Sequence, residues 1–143
     1  MMRLLTFVLL AAALFGAWQW WQGRDGDAGV LASAGASPNG FVPVAMPAGA
    51  RRNTVLVLAP PNCPSEQAQR SEALVAALAR EGIPIARGSG FSIDIANPSP
   101  EQIAGIDRAV AVFRQGAPAV FINGMAMSDP SPAQVVAEYR RTR

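Results

Sequence analysis

The chain has 143 residues, half of them hydrophobic, and a formal net charge of only +2. It contains no histidine and no lysine, which excludes imidazole-based acid–base catalysis, imidazole metal ligands and lysine Schiff bases. A phosphate-binding loop that ends in lysine is excluded for the same reason. The arginine clusters at 51–52 and 140–143 are short and indicate a solvated surface, so no nucleic-acid partner is expected.

Residues 1–22 are predicted to be a membrane anchor or a signal sequence. The run from Leu4 to Trp21 carries no charge, and as a helix it would be about 27 Å long, close to the thickness of a bilayer's hydrocarbon core. An uncleaved transmembrane helix is favoured over a signal peptide, because the small residues of a cleavage site do not follow closely. We therefore expect a single-pass protein of the inner (cytoplasmic) membrane with its C-terminal domain in the periplasm.

Residues 23–52 are predicted to be a flexible linker between this helix and the domain. They are rich in Gly, Ala, Ser and Pro, a composition that buries too little apolar surface to offset the entropy of ordering. The segment Phe41-Val42-Pro43-Val44 interrupts this composition and could add an edge strand to the domain. Its proline argues against a central strand.

Residues 53–143 are predicted to form one α/β domain with a mixed sheet flanked by helices. The apolar run at the end of Thr54–Leu58 is typical of a strand that is covered on both faces. An amphipathic pattern predicts a helix over Pro64–Glu81, with Gly82 as its left-handed cap. A short strand is expected at Ile83–Ala86.

Two further helices are predicted from nearly identical start signals. Ser99-Pro100-Glu101-Gln102 and Ser131-Pro132-Ala133-Gln134 each offer a serine N-cap, a proline in the first turn and a glutamine that completes a capping box. The apolar face of the first of these helices is predicted to be Ile103, Ile106, Val110 and Phe113. Ahead of it, apolar residues alternate over 91–95, which predicts a half-buried strand or an extended loop.

A hairpin is predicted near the end of the chain. Ala119–Ile122 is an apolar run typical of a buried strand. Asn123-Gly124 follows it and accepts positive φ at both positions, so Met125–Met127 is expected to return as the second strand. Pro118 stands just before the first strand, where a missing backbone donor is tolerated.

The pattern of proline, strand, Asn-Gly turn, strand and helix resembles the C-terminal half of the thioredoxin-like fold, most closely that of glutaredoxins. Upstream, the strand at Thr54–Leu58 and the segment Pro60-Pro61-Asn62-Cys63-Pro64-Ser65-Glu66 resemble the strand, loop and redox-motif helix of that family. The resemblance implies that Cys63 is a catalytic nucleophile and that the residue pair Ala117–Pro118 forms the substrate groove. It also implies a cis Pro118, whereas an ordinary trans proline after the loop is the alternative.

Cys63 is the only cysteine and therefore carries any covalent chemistry of the chain. A helix start favours the thiolate through free amide groups and the helix dipole. Glu66 opposes this effect and stands where a dithiol member of the family has its second cysteine, so the resemblance implies a monothiol mechanism. The alternative for Cys63 is a small buried hydrophobic residue.

The remaining predictions concern ligands and partners. Asp129 occupies the region where glutaredoxins hold the charged end of glutathione, so the resemblance implies a substrate-binding role; a turn residue ahead of Ser131 is the alternative. Glutathione would be a co-substrate rather than a resident cofactor, and no metal is expected, although Met125 and Met127 could act as soft ligands with Cys63.

Two functions follow. The first is a membrane-tethered monothiol thioredoxin- or glutaredoxin-like protein, which exchanges thiols and disulfides with a protein substrate through Cys63. The second is a redox-inactive interaction module of thioredoxin-like fold in a cell-envelope assembly.

Overall fold

The computed structural model describes residues 2–59 and 65–143. The helices of this part are α1 (Met2–Ala32), α2 (Glu66–Arg80), α3 (Pro100–Gln115) and α4 (Pro132–Thr142). The strands are β1 (Val42–Pro43), β2 (Val55–Leu58), β3 (Ile85–Gly88), β4 (Ala119–Ile122) and β5 (Met125–Ser128).

The strands form one mixed sheet in the order β1-β5-β4-β2-β3. β2 is parallel to β3 and antiparallel to β4, and β5 is antiparallel to both β4 and β1. From β2 onward the chain alternates strand and helix and then closes with the hairpin and α4. The predicted α/β class and mixed sheet are therefore confirmed.

Helices cover both faces of this sheet, which explains the continuous apolar runs in its central strands. In β2, Val55 and Val57 pack in a cluster with Leu74 and Leu78 of α2 and with Val135 of α4. The intervening residues of β2 point to the other face and pack in a second cluster against α3. All four residues of β2 are buried as a result.

The prediction of a transmembrane helix is wrong. Within residues 2–59 and 65–143, no helix is long and apolar enough to cross a membrane. The predicted fold with an N-terminal transmembrane helix and the single-pass inner-membrane location with a periplasmic domain are corrected accordingly. The prediction relied on the uncharged run from Leu4 to Trp21, whereas α1 continues past this run to Ala32.

The segment that was predicted to be a linker contains ordered contacts. α1 extends to Ala32, and Leu31 packs against the cluster that includes α3. β1 pairs with β5 at the edge of the sheet, with Val42 opposite Ala126, which confirms the predicted edge strand. Phe41 is completely buried. We call residues 37–45, which cross this edge of the sheet, the N-terminal strap.

A buried carboxylate holds the strap to α4. Glu138 is fully buried, and its Oε2 accepts hydrogen bonds from Ser37 Oγ and Asn39 Nδ2, both at 2.9 Å. Arg141 donates to the same carboxylate through Nε at 3.2 Å. Burial alone raises the pKa of Glu138, but the hydrogen bonds from Arg141, Asn39 and Ser37 and the charge of Arg141 outweigh it, so the net pKa is lowered.

α3 packs through a different face from the one that its large apolar residues predict. Its buried positions are small residues and one valine: Gly105, Ala109, Ala111 and Val112. Ile103 and Phe113 are exposed over 46% and 36% of their surface. Gly105 lies against the strap, where Ala45 N–H donates to Gly105 O at 3.0 Å. Because the strap approaches α3 closely, α3 packs through the face that carries small side chains.

Candidate functional site

The predicted nucleophile cannot be placed, because Cys63 lies outside the described residues. The chain on both sides of residues 60–64 is described: Ala59 follows β2, and Ser65 is the N-cap of α2, where its side chain accepts a hydrogen bond from the Ala68 backbone. The predicted helix therefore exists, and it begins at Glu66, two residues later than predicted. The cap places the positive end of the α2 dipole directly after residues 60–64.

The three predicted substrate-binding residues Ala117, Pro118 and Asp129 lie together. The Ala117–Pro118 peptide bond is cis, as the resemblance implies. The Asp129 N–H donates to Pro118 O at 2.8 Å, and Ser128 Oγ donates to Gly116 O at 3.0 Å. Two hydrogen bonds therefore hold the loop before β4 against the end of β5.

Arg70 of α2 forms ion pairs with Asp129, which follows β5, and with Glu66 in the first turn of α2. Its Nε lies 3.3 Å from Asp129 Oδ1, and its Nη1 lies 4.0 Å from Glu66 Oε2. The side chains of Arg70 and Asp129 are about half exposed, whereas that of Glu66 is 92% exposed. Asp129 adopts a left-handed φ of 48°, which fits its alternative role as a turn residue. Arg70 was not among the predicted site residues, although its spacing of four residues from Glu66 is a signal for a helical ion pair.

A cavity of about 390 Å³ opens beside the loop before β4. We call it the groove. It is lined by residues from four parts of the chain, namely Leu58, Ala59, Gln67, Ser89, Phe113, Arg114, Gly116, Ala117 and Ala119. Ala59 and Gln67 stand on either side of residues 60–64 in the sequence.

Three polar lining residues of the groove were not predicted as site residues: Gln67, Ser89 and Arg114. They come from α2, from the end of β3 and from the last turn of α3. Only the sheet topology brings them together, because β2, β3 and the loop before β4 meet at this end of the sheet. No local motif in the sequence marks them.

The described residues offer no cluster of three or more acidic side chains that could hold a metal ion. Met125 and Met127, considered above as soft ligands, are partly buried and pack against the core cluster that contains Phe41. Hydrophobic packing therefore accounts for both methionines.

Comparisons with known proteins give no match: no family model, no curated protein and no solved structure is similar to the chain. These comparisons therefore do not identify it as a thioredoxin, a glutaredoxin or another redox protein. The family resemblance stays a prediction that depends on the residues quoted above.

Proposed function

We propose that the domain has a thioredoxin-like fold and exchanges thiols and disulfides through Cys63. The order of strand, helix, strand, helix, hairpin and helix from β2 to α4 supports this fold. The membrane tether of the original hypothesis is not part of the proposal. What remains is a monothiol exchange protein whose substrate is a thiol or disulfide, with glutathione as a co-substrate.

The observation that carries the proposal is the position of the groove. Its lining includes Ala59 and Gln67, which flank the segment with Cys63, and Ala117 and Ala119, which flank Pro118. A substrate that occupies this groove would contact the described residues Ala59 and Gln67, which flank the 60–64 segment in the sequence. Enzyme grooves of this kind place a substrate by contacts with its chain, while one nucleophile does the chemistry.

The proposed chemistry needs one cysteine in the domain and one thiol from outside. The Cys63 thiolate attacks one sulfur of a substrate disulfide, a bond forms between these two sulfurs, and the other sulfur leaves as a thiolate. Glutathione or a second protein thiol then attacks the mixed disulfide and releases Cys63 as a thiolate. The α2 N-terminus stabilises negative charge on its N-terminal side. Arg70 pairs with the carboxylate of Glu66, whose negative charge would otherwise oppose formation of the thiolate.

The first test measures exchange between the full-length protein and a peptide–glutathione mixed disulfide. We expect Cys63→Ser to abolish the exchange, and Ser89→Trp to slow it about tenfold because the indole ring fills the groove. Ser92→Trp is the matched control, because Ser92 is also exposed but is not a lining residue of the groove.

A second measurement separates the groove from the thiol. Alkylation of Cys63 by iodoacetamide, a small reagent, should proceed at the same rate in Ser89→Trp as in the unchanged protein. If Cys63→Ser leaves exchange intact, or if Ser89→Trp and Ser92→Trp slow it equally, the proposed function is wrong.

The second candidate is a redox-inactive interaction module that binds an extended peptide in the groove. The ion pair between Arg70 and Asp129 favours it, because this pair occupies the carboxylate that the first candidate assigns to a charged ligand. In that case Cys63→Ser would bind the peptide as well as the unchanged protein does, and neither would exchange disulfides. Ser89→Trp would still weaken binding, which fluorescence anisotropy of a labelled peptide would measure.

A further inference from the structure

A second cavity of about 390 Å³ lies apart from the groove. We call it the arginine cavity. Its lining residues are Met46, Ala50, Arg51, Arg52, Asn123 and Thr142. They come from the segment before β2, from the turn between β4 and β5, and from the last turn of α4.

The arginine cavity is at the opposite end of the sheet from the groove. Arg51 and Arg52 precede β2, whereas Leu58 at the end of β2 lines the groove. β4 runs antiparallel to β2, with Ala119 opposite Leu58, so Asn123 after β4 lies near the beginning of β2. Four residues of strand separate the two ends by about 13 Å, and the two cavities share no lining residue.

All charged residues that line the arginine cavity are basic. Arg51 and Arg52 are among its lining residues, and none of its lining residues is acidic. Arg70, Arg87, Arg140 and Arg141 each pair with a carboxylate, but no ion pair involves Arg51 or Arg52 in the part of the chain that the structure describes. Two adjacent like charges without a counter-charge repel each other, and a bound anion would relieve that repulsion.

The other polar groups of the lining are already engaged with one another. The Asn53 N–H donates to Asn123 Oδ1 at 2.7 Å, and Asn123 Nδ2 donates to Thr142 Oγ1 at 3.2 Å. Thr142 Oγ1 in turn donates to Glu138 O at 2.9 Å. This network fixes the wall of the cavity before any ligand arrives, which lowers the entropy cost of binding. The guanidinium groups of Arg51 and Arg52 remain as the donors for a ligand.

We propose that the arginine cavity binds a small phosphate monoester with an apolar organic group. A guanidinium presents a planar fork of donors that matches two phosphate oxygens, and two adjacent guanidiniums match a dianion. Met46 and Ala50 supply an apolar surface in the same lining, which suits the organic part of the ligand. Binding here is independent of the proposed thiol chemistry, because neither Cys63 nor the groove takes part.

Isothermal titration calorimetry of the full-length protein with phenyl phosphate tests this proposal. At low ionic strength, where screening is weak, we expect saturable binding. The double variant Arg51→Gln/Arg52→Gln should weaken that binding at least about tenfold, because both charge-assisted pairs are lost. Arg80→Gln removes an exposed arginine of α2 that does not line the cavity, and it should leave the affinity within about twofold. Inorganic phosphate, which has no apolar group, should bind more weakly than phenyl phosphate.

A measurement on the unchanged protein makes the test independent of the folding of the variants. Phenyl phosphate should shift the backbone amide NMR signals of Asn53 and Asn123 and leave those of the groove residues Gln67 and Ala117 in place. The proposal is overturned if the shifts appear at the groove instead, if Arg80→Gln weakens binding as much as the double variant, or if inorganic phosphate binds equally tightly.

Discussion

At the scale of single residues, Glu138 is the buried polar group that holds the strap to α4 through hydrogen bonds. A fully buried carboxylate is stable only when it is paired and hydrogen-bonded, because its desolvation is costly. Glu138 meets this condition through side chains that are about a hundred positions earlier in the sequence, Ser37 and Asn39, and through Arg141 one turn later. The hydrogen bonds that Arg141 donates to Glu138 also raise the pKa of Arg141. The pair therefore stays charged.

We expect Glu138→Gln to lower the free energy of unfolding by about 2 kcal/mol, since it keeps the shape of the side chain but replaces charge-assisted hydrogen bonds with weaker ones. Urea denaturation of the full-length protein measures this loss. Asp94→Asn is the control because Asp94 is exposed, and it should change the stability by less than about 0.5 kcal/mol.

The same prediction has a defined pH dependence. The pKa of Glu138 is lowered from 4.5 in the folded protein, so its carboxylate stabilises the fold above the pKa of the unfolded chain. That contribution is lost as the pH falls through the folded pKa. The difference in stability between the unchanged protein and Glu138→Gln should therefore be largest near neutral pH and shrink below about pH 4.5. A difference that does not change with pH would contradict the assigned role of the charge.

At the scale of elements, local signals in the sequence predicted most helices and strands well. Both capping boxes form as predicted at Ser99 and Ser131, and Gly82 follows α2 with a φ of 72°. The Asn123-Gly124 turn has positive φ at both positions. These features depend on neighbouring residues only, which is why the sequence suffices for them.

Local sequence signals could not predict which face of α3 is buried. Large apolar residues predicted one face, but the structure buries another, with Gly105 and Ala109 at its centre. The reason is a partner 60 positions away in the chain: the Ala45 N–H donates to Gly105 O, so the backbones approach too closely for a large side chain. Helical periodicity reports apolar faces, but it does not report the distance to a neighbouring segment.

We therefore expect Gly105→Ala to destabilise the protein by about 1 kcal/mol, although alanine is the better helix former. A Cβ at this position would lie 3.0 Å from Ala45 N, and the strap cannot retreat without stretching its hydrogen bond to Gly105 O. Thermal unfolding followed by circular dichroism checks this expectation. Gly16→Ala in α1 is the control, because a Cβ there meets no atom within 4 Å, and it should cause no loss. Equal stability of Gly105→Ala and the unchanged protein would contradict this prediction, because it would mean that the strap moves to make room for the added Cβ.

At the scale of the whole molecule, the sequence predicted the α/β class and the succession of strands and helices in residues 53–143, but it misjudged the N-terminal third. A composition rich in Gly, Ala, Ser and Pro indicated a linker, yet three particular side chains, Ser37, Asn39 and Phe41, contact the domain. The candidate site shows the same limit. The sequence indicated Ala117, Pro118 and Asp129 through a family pattern, whereas Arg70 and the other groove residues meet only through the fold.

The burial of the strap leads to a prediction about where the folded unit begins. Phe41 is completely buried in the cluster that also contains Val57 and Leu78, so the strap contributes to the core itself. We expect Phe41→Ala to lower the free energy of unfolding by about 3–5 kcal/mol, as for other buried phenylalanines. Phe15→Ala is the matched control, since Phe15 in α1 is 57% exposed and its loss should cost less than about 0.5 kcal/mol.

Urea denaturation followed at two signals makes this comparison decisive. If the strap belongs to the folded unit, far-ultraviolet circular dichroism and the aromatic NMR signals of the single tyrosine, Tyr139 on α4, should report one shared transition. In Phe41→Ala both signals should move together to lower urea. A strap that acts only as a tether would leave the transition of Phe41→Ala where that of Phe15→Ala is, because removing a side chain outside the core leaves no cavity behind.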